Sequence, residues 1–125
     1  MHGDFRAARE AFEKALLLQT PRTELARGGL GTCIALEGDL DRGLPLLDGA
    51  LLRLGNHPTI HGWLGRVHHA QNNLNTAREH LNRALRLDGR RPDLYLERAR
   101  VREALGDPTG ARKDRIRAKN LLGTK

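Results

Sequence analysis

The apolar positions of this chain recur at spacings of three and four residues, interrupted by short polar turns. Ala8 is followed by Phe12, Ala15 and Leu16, and Ala77 by Leu81, Ala84 and Leu85, so each set shares one helix face. Four turn-like dipeptides separate such runs: Gly3-Asp4, Gly38-Asp39, Asn72-Asn73 and Gly106-Asp107, at spacings of 35, 34 and 34 residues. Two small residues follow each dipeptide at constant offsets: Ala8 and Ala15, Gly43 and Ala50, Ala77 and Ala84, Ala111 and Ala118. Gly31, Gly65 and Ala99 precede the last three by seven residues. A repeat of this length is one supersecondary unit, which buries its apolar face only by stacking on a neighbour. Asp4, Asp39, Asn73 and Asp107 are good N-caps, and Pro108 suits a first helical position because its missing N–H has no partner there. Pro21, Pro58 and Pro92 mark turns before further helices. No run alternates apolar and polar residues as a half-buried strand does. The pattern predicts seven helices, about 4–18, 23–36, 40–53, 58–70, 74–87, 92–105 and 108–122, and no strand.

The segments Leu64-Gly65 … Ala77 … Leu81 … Ala84 and Tyr95 … Ala99 … Gly106-Asp107 … Ala111 … Ala118 resemble the tetratricopeptide repeat, a helix–turn–helix unit. The resemblance covers essentially the whole chain and implies an all-α, right-handed superhelix of one half-repeat and three repeats. The half-repeat is residues 3–20, and the repeats span roughly 24–57, 58–91 and 92–125, within a single domain 1–125 that is complete or part of a longer protein. In that family the first helix of each unit lines a concave groove and the second forms the convex back. Two positions depart from the pattern. Arg98 stands where an apolar residue is usual, and Arg115 where a bulky one is. The last helix therefore reads as a polar end-cap. At the other end, the chain opens with a second helix that has no first helix before it.

Composition sharpens this picture. With aromatic residues at 3%, the core has to be built from Leu, Ala, Ile and Val. No apolar run approaches the roughly 18 residues of a membrane span. Charged Asp4, Arg6, Arg9 and Glu10 occupy the place where a signal peptide would be apolar. The single Cys33 has no partner for an intrachain disulfide and fits a reducing compartment. The expectation is a cytoplasmic protein without membrane contact. Its net charge of +7 is unevenly placed: residues 1–77 are balanced, and the whole excess lies in residues 78–125.

Candidate chemistry is sparse. His61 and His68 are seven residues apart on one helix face, but a metal site needs three or four ligands and no completing set is evident. They occupy slots where the family packs aromatics, so semi-buried, hydrogen-bonded histidines are expected, with no metal and no cofactor. Arg27-Gly28-Gly29-Leu30-Gly31 lacks the preceding strand and the Gly-Lys-Ser/Thr of a phosphate loop. Gly28 and Gly29 each cost about 1 kcal/mol in a helix relative to Ala, which leaves two readings, a widened groove or a frayed helix. No Ser, Cys or Thr sits in a nucleophile-elbow context, so an enzyme is not expected.

The groove-lining offsets that the resemblance implies select Leu25, Gly28, Thr32 and Ala35, then Thr59, Gly62, Arg66 and His69, then Asp93, Leu96, Arg100 and Glu103, with Trp63 at the edge. Thr32, Trp63, Arg66, His69, Leu96, Arg100 and Glu103 are the expected partner-binding residues. Arg66 and Arg100 occupy equivalent positions and would form a ladder suited to bidentate capture of carboxylate or phosphate. The competing reading is two ordinary surface arginines, partnered by Glu97 and Glu103. This groove contains no Lys and no Asn, which disfavours the carboxylate clamp of the chaperone-binding members. The expected function is a scaffold or adaptor that binds an acidic segment of another protein. Nucleic-acid binding through the basic C-terminal third is the alternative, disfavoured by one Trp and one Tyr for stacking. A third reading is self-association, as a homodimer, through the open N-terminal helix carrying Ala8, Phe12 and Ala15.

Overall fold

The computed structural model describes residues 5–18 and 23–123, with backbone alone for residues 15–18. Among these residues there are seven α-helices and no strand: α1 (Phe5–Leu18), α2 (Thr23–Leu36), α3 (Leu40–Leu54), α4 (Pro58–Ala70), α5 (Leu74–Leu87), α6 (Pro92–Ala104) and α7 (Pro108–Gly123). The Gly3-Asp4 dipeptide and Pro21 lie outside the described residues.

Three turns share one geometry, which explains the repeated dipeptides. Gly38, Asn72 and Gly106 adopt φ of 113°, 63° and 82°, the left-handed conformation that ends a helix and favours Gly or Asn. Each donates its N–H to the carbonyl three residues back, and its successor donates to the carbonyl five back. The pairs are Gly38 to Ala35 and Asp39 to Ile34, Asn72 to His69 and Asn73 to His68, Gly106 to Glu103 and Asp107 to Arg102. These bonds satisfy carbonyls that the helix end would leave orphaned. The second residue then caps the next helix. Asp39 Oδ1 accepts from Arg42 N at 3.2 Å and Asp107 Oδ1 from Gly110 N at 2.9 Å. Asn73 stands at the N-cap of α5 without a side-chain cap bond, so there the cap expected from sequence is positional only.

The residues divide into two compact units, Met1–Trp63 and Leu64–Lys125, with the boundary inside α4. In the first, Leu47 and Ile60 are fully buried beside Ala26, Cys33, Ile34, Ala35 and Ala50. Small residues let the backbones of α2 and α3 close on each other: a methyl on Gly31 would meet Gly43 O at 2.6 Å. The adjacent Gly28 and Gly29 lie in unbroken helix and are buried, so neither reading of them from sequence holds. A side chain on Gly28 would meet Ile60 Cδ1 at 2.8 Å, and the place of one on Gly29 is taken by the Phe12 ring. Both are sites of close approach.

In the second unit, Ala77, Leu81, Ala84, Leu85, Leu94 and Val101 form the core, with Leu74, Tyr95 and Leu105 packed against it. Gly65 admits Leu81, whose Cγ would lie 2.7 Å from a methyl there. Each fully buried Leu or Val contributes roughly 1.5–3 kcal/mol, so thin helices with few aromatics still build a core.

Candidate interaction surfaces

In the second unit, α4 and α6 are joined by a charged contact. Glu97 on α6, only 15% exposed, lies 3.3 Å from His69 Nδ1 on α4 and accepts from Arg100 Nη1 at 3.3 Å. Arg100 is 64% exposed, Arg66 is exposed, and Leu96 presents apolar surface one helical turn before Arg100. Glu103 is exposed and pairs with Arg115 of α7 at 2.9 Å, so it does not face Arg100 as a partner. Of the two carboxylates expected beside these arginines, Glu97 alone contacts Arg100.

The residues expected in the first unit behave differently. Thr32 is buried, and its hydroxyl donates to Gly28 O at 2.9 Å, a back-bond to the preceding turn. Its expected place on a partner-binding surface is corrected accordingly: the side chain is turned into its own helix. Trp63 is half-buried and meets the Phe12 ring edge-on, with centroids 6.0 Å apart and planes at 77°. Phe12 thus packs on Gly29 and Trp63 instead of projecting into water, and Ala8 beside it is half-buried. The Ala15 side chain lies outside the described residues.

Of the two histidines expected to be semi-buried, His68 is so, whereas His61 goes further. His61 is fully buried with Nε2 3.1 Å from Asn56 Oδ1, and His68 stacks on His80 at 5.5 Å between centroids. Among the described residues, no group of three or more His, Cys, Asp or Glu is placed to hold a metal ion. Neither aromatic suited to stacking on a base is free for it. Trp63 is engaged by Phe12; the Tyr95 hydroxyl donates to Gly89 O at 3.0 Å, and the Arg98 guanidinium lies 5.6 Å over its ring.

Sequence reasoning missed the most densely bonded polar cluster in the second unit. Asp114 of α7, 3% exposed, receives Arg98 in a two-bond fork, Nη2 to Oδ1 at 2.7 Å and Nε to Oδ2 at 3.0 Å. Arg102 Nη1 adds a third bond at 3.0 Å and also reaches Gly110 O at 3.3 Å. Arg98 Nη1 donates to Asn82 Oδ1 on α5 at 2.9 Å, so one guanidinium ties α6 to both flanking helices. Arg98 was visible in sequence as a polar residue in an apolar slot, whereas Asp114 was not: its equivalents in the preceding units are His80, Leu46 and Ala11, of which Ala11 is exposed. A cleft of about 560 Å³ between α2 and α3 was also missed. Its three arginines, Arg27, Arg42 and Arg53, are offset by Glu24 and Asp39 at 3.5–3.7 Å, which leaves little net charge there.

Comparison with known proteins places this architecture. Two family models described as tetratricopeptide repeat match residues 2–59 and 35–93. Neither of these two models extends past residue 93, and Arg98 takes an apolar slot beyond it. Tetratricopeptide repeat protein 16 of Mus musculus is 35% identical over 88 residues, which are 68% of this chain and 11% of that protein, so this chain corresponds to a small part of its length. Among solved structures, a crystal structure of MamA superposes with a TM-score of 0.70 at 20% identity, covering 95% of this chain and 69% of that one. MamA from residue 41 onward, from Desulfovibrio magneticus RS-1, gives 0.72 at 19% identity, covering 96% and 67%. At such identities the likeness concerns the fold alone. With the repeated left-handed turns, the small-residue crossings and both matched models, the chain belongs to the tetratricopeptide repeat family.

Proposed function

We propose that this chain is a protein-interaction scaffold that holds an acidic segment of a partner against α4 and α6, with Arg66 and Arg100 as the principal contacts. The observation that supports this most is the exposure of both arginines at positions one repeat apart, with a carboxylate held against Arg100. Glu97 is held at 3.3 Å by His69 as well as by Arg100. It therefore orients Arg100 while leaving that guanidinium further donors for a ligand carboxylate. Leu96 offers an apolar neighbour for the partner's uncharged side chains.

Fluorescence anisotropy with a labelled Asp/Glu-rich peptide tests the reading. Binding should weaken as salt rises, because exposed charges are screened beyond about 8–10 Å at physiological ionic strength. Arg66→Ala/Arg100→Ala should remove it. Glu97→Gln should strengthen it, since Arg100 loses an internal competitor. Equal affinity in wild type and the double-alanine variant would refute the reading.

A further inference from the structure

The outer face of α7 is cationic to a degree that neither the fold nor the proposed peptide surface uses. Its one acidic residue, Asp114, is buried and consumed by Arg98 and Arg102. The exposed side is left with Arg112, Lys113, Arg115, Arg117 and Lys119. Arg115 pairs with Glu103. Arg112, Lys113, Arg117 and Lys119 have no side-chain partner among the described residues. Two large apolar residues stand among these cations, Ile116 at 50% exposure and Leu122 at 69%. Helical spacing interleaves them. Lys119 lies three residues from each and Arg112 four from Ile116, so Ile116, Arg112, Lys119 and Leu122 follow one another around the exposed side, with Leu122 about 120° round from Ile116 and Lys113 and Arg117 on the other flank.

We propose that this face of α7 docks peripherally on an anionic lipid surface, with Arg112, Lys113, Arg117 and Lys119 meeting headgroup charges and Ile116 and Leu122 entering the headgroup boundary. Clusters of four or more Lys/Arg on one helix are attracted to an anionic leaflet, and exposed apolar side chains among them gain by leaving water there. A nucleic-acid backbone would satisfy the cations alone. It would leave Ile116 and Leu122 without a role, and Trp63 and Tyr95 are engaged internally, so no stacking platform supports a single strand. This departs from the expectation of no membrane contact, and the contact is peripheral: no helix among the described residues is long and apolar enough to cross a membrane.

Co-sedimentation of the whole chain with vesicles of phosphatidylcholine, with and without phosphatidylserine, decides the matter. The wild type should pellet only with phosphatidylserine vesicles and be released by salt. Arg112→Gln/Lys113→Gln/Arg117→Gln/Lys119→Gln should lower partitioning on the order of a hundredfold or more, since each cation multiplies it several-fold. Ile116→Ser/Leu122→Ser should weaken it several-fold, while Arg83→Gln/Arg86→Gln on the exposed side of α5 should leave most of it. All these side chains are solvent-facing, and unchanged circular dichroism confirms that each variant is folded. No binding to phosphatidylserine vesicles overturns the proposal. So does binding that the Ile116/Leu122 variant retains in full and a DNA duplex competes away, which would mark a general polyanion surface.

Discussion

Removing the Asp114 carboxylate should be the most damaging single polar substitution in the second unit. In Asp114→Ala, the guanidiniums of Arg98 and Arg102 lose three charge-assisted bonds of 2.7, 3.0 and 3.0 Å. Breaking a buried ion pair by deleting one member costs about 3–5 kcal/mol, chiefly because the surviving charge stays poorly solvated. Arg98 and Arg102 are 16% and 23% exposed, so they recover part of their hydration, and the cost falls toward the lower end, about 3 kcal/mol. With a urea dependence of roughly 1–3 kcal/mol per molar for a small protein, the midpoint followed by far-UV circular dichroism should fall by about 1–3 M. A second arm separates charge from packing. Replacing both members, as Arg98→Met/Asp114→Leu, removes the desolvated charges together and should sit within about 1 kcal/mol of wild type, because well-packed apolar pairs often match buried ion pairs. Arg102 retains Gly110 O and a path to water. A loss below about 1 kcal/mol for Asp114→Ala, or a double variant no more stable than the single, would refute the reasoning.

Three further outcomes are expected. Gly31→Ala should cost roughly 1–3 kcal/mol in urea denaturation, toward the upper end, because the added methyl meets the Gly43 carbonyl oxygen at 2.6 Å and backbone yields poorly. Pro45, exposed within α3, cannot donate to the carbonyl of Asp41, so Pro45→Ala should raise the thermal midpoint, with a gain of up to about 3 kcal/mol. Because the Phe12 ring is taken up by Gly29 and Trp63, Phe12→Glu should lower stability and shift Trp63 emission without changing mass in sedimentation velocity; a wild-type dimer dissociated by this substitution would show the opposite.

What could be read from sequence was what depends on near neighbours. The helix bounds and the three left-handed turns at Gly38, Asn72 and Gly106 follow from residues within one turn of the chain, and the fixed offset of 34 exposed them. The α2/α3 crossing was visible because Gly31 and Gly43 keep the spacing of Gly65 and Ala77. What stayed hidden depends on partners far along the chain. Arg98 read alone is a breach of an apolar pattern. Only the arrival of Asp114 from the next helix turns that breach into a satisfied pair. Gly28 and Gly29 likewise make sense only once Ile60 and the Phe12 ring are placed against them. Thr32 was assigned outward by its offset, yet its hydroxyl had a closer acceptor in Gly28 O. At the α4/α6 surface, Arg66 and Arg100 were found by repeat position, and Glu97 between His69 and Arg100 was not, because its burial is a tertiary fact.

The burial of Cys33 has a practical consequence. It is the sole thiol in the sequence and sits in α2 at 5% exposure. A thiol reagent can reach it only when α2 separates from what covers it. The labelling rate under native conditions is then a clock for opening of the first unit, scaled by the fraction of time spent open. Because the chain supplies this reporter already, substitutions such as Gly31→Ala can be ranked by reaction half-time without adding a probe, and a ligand that binds only the closed form should slow the clock in proportion to its occupancy.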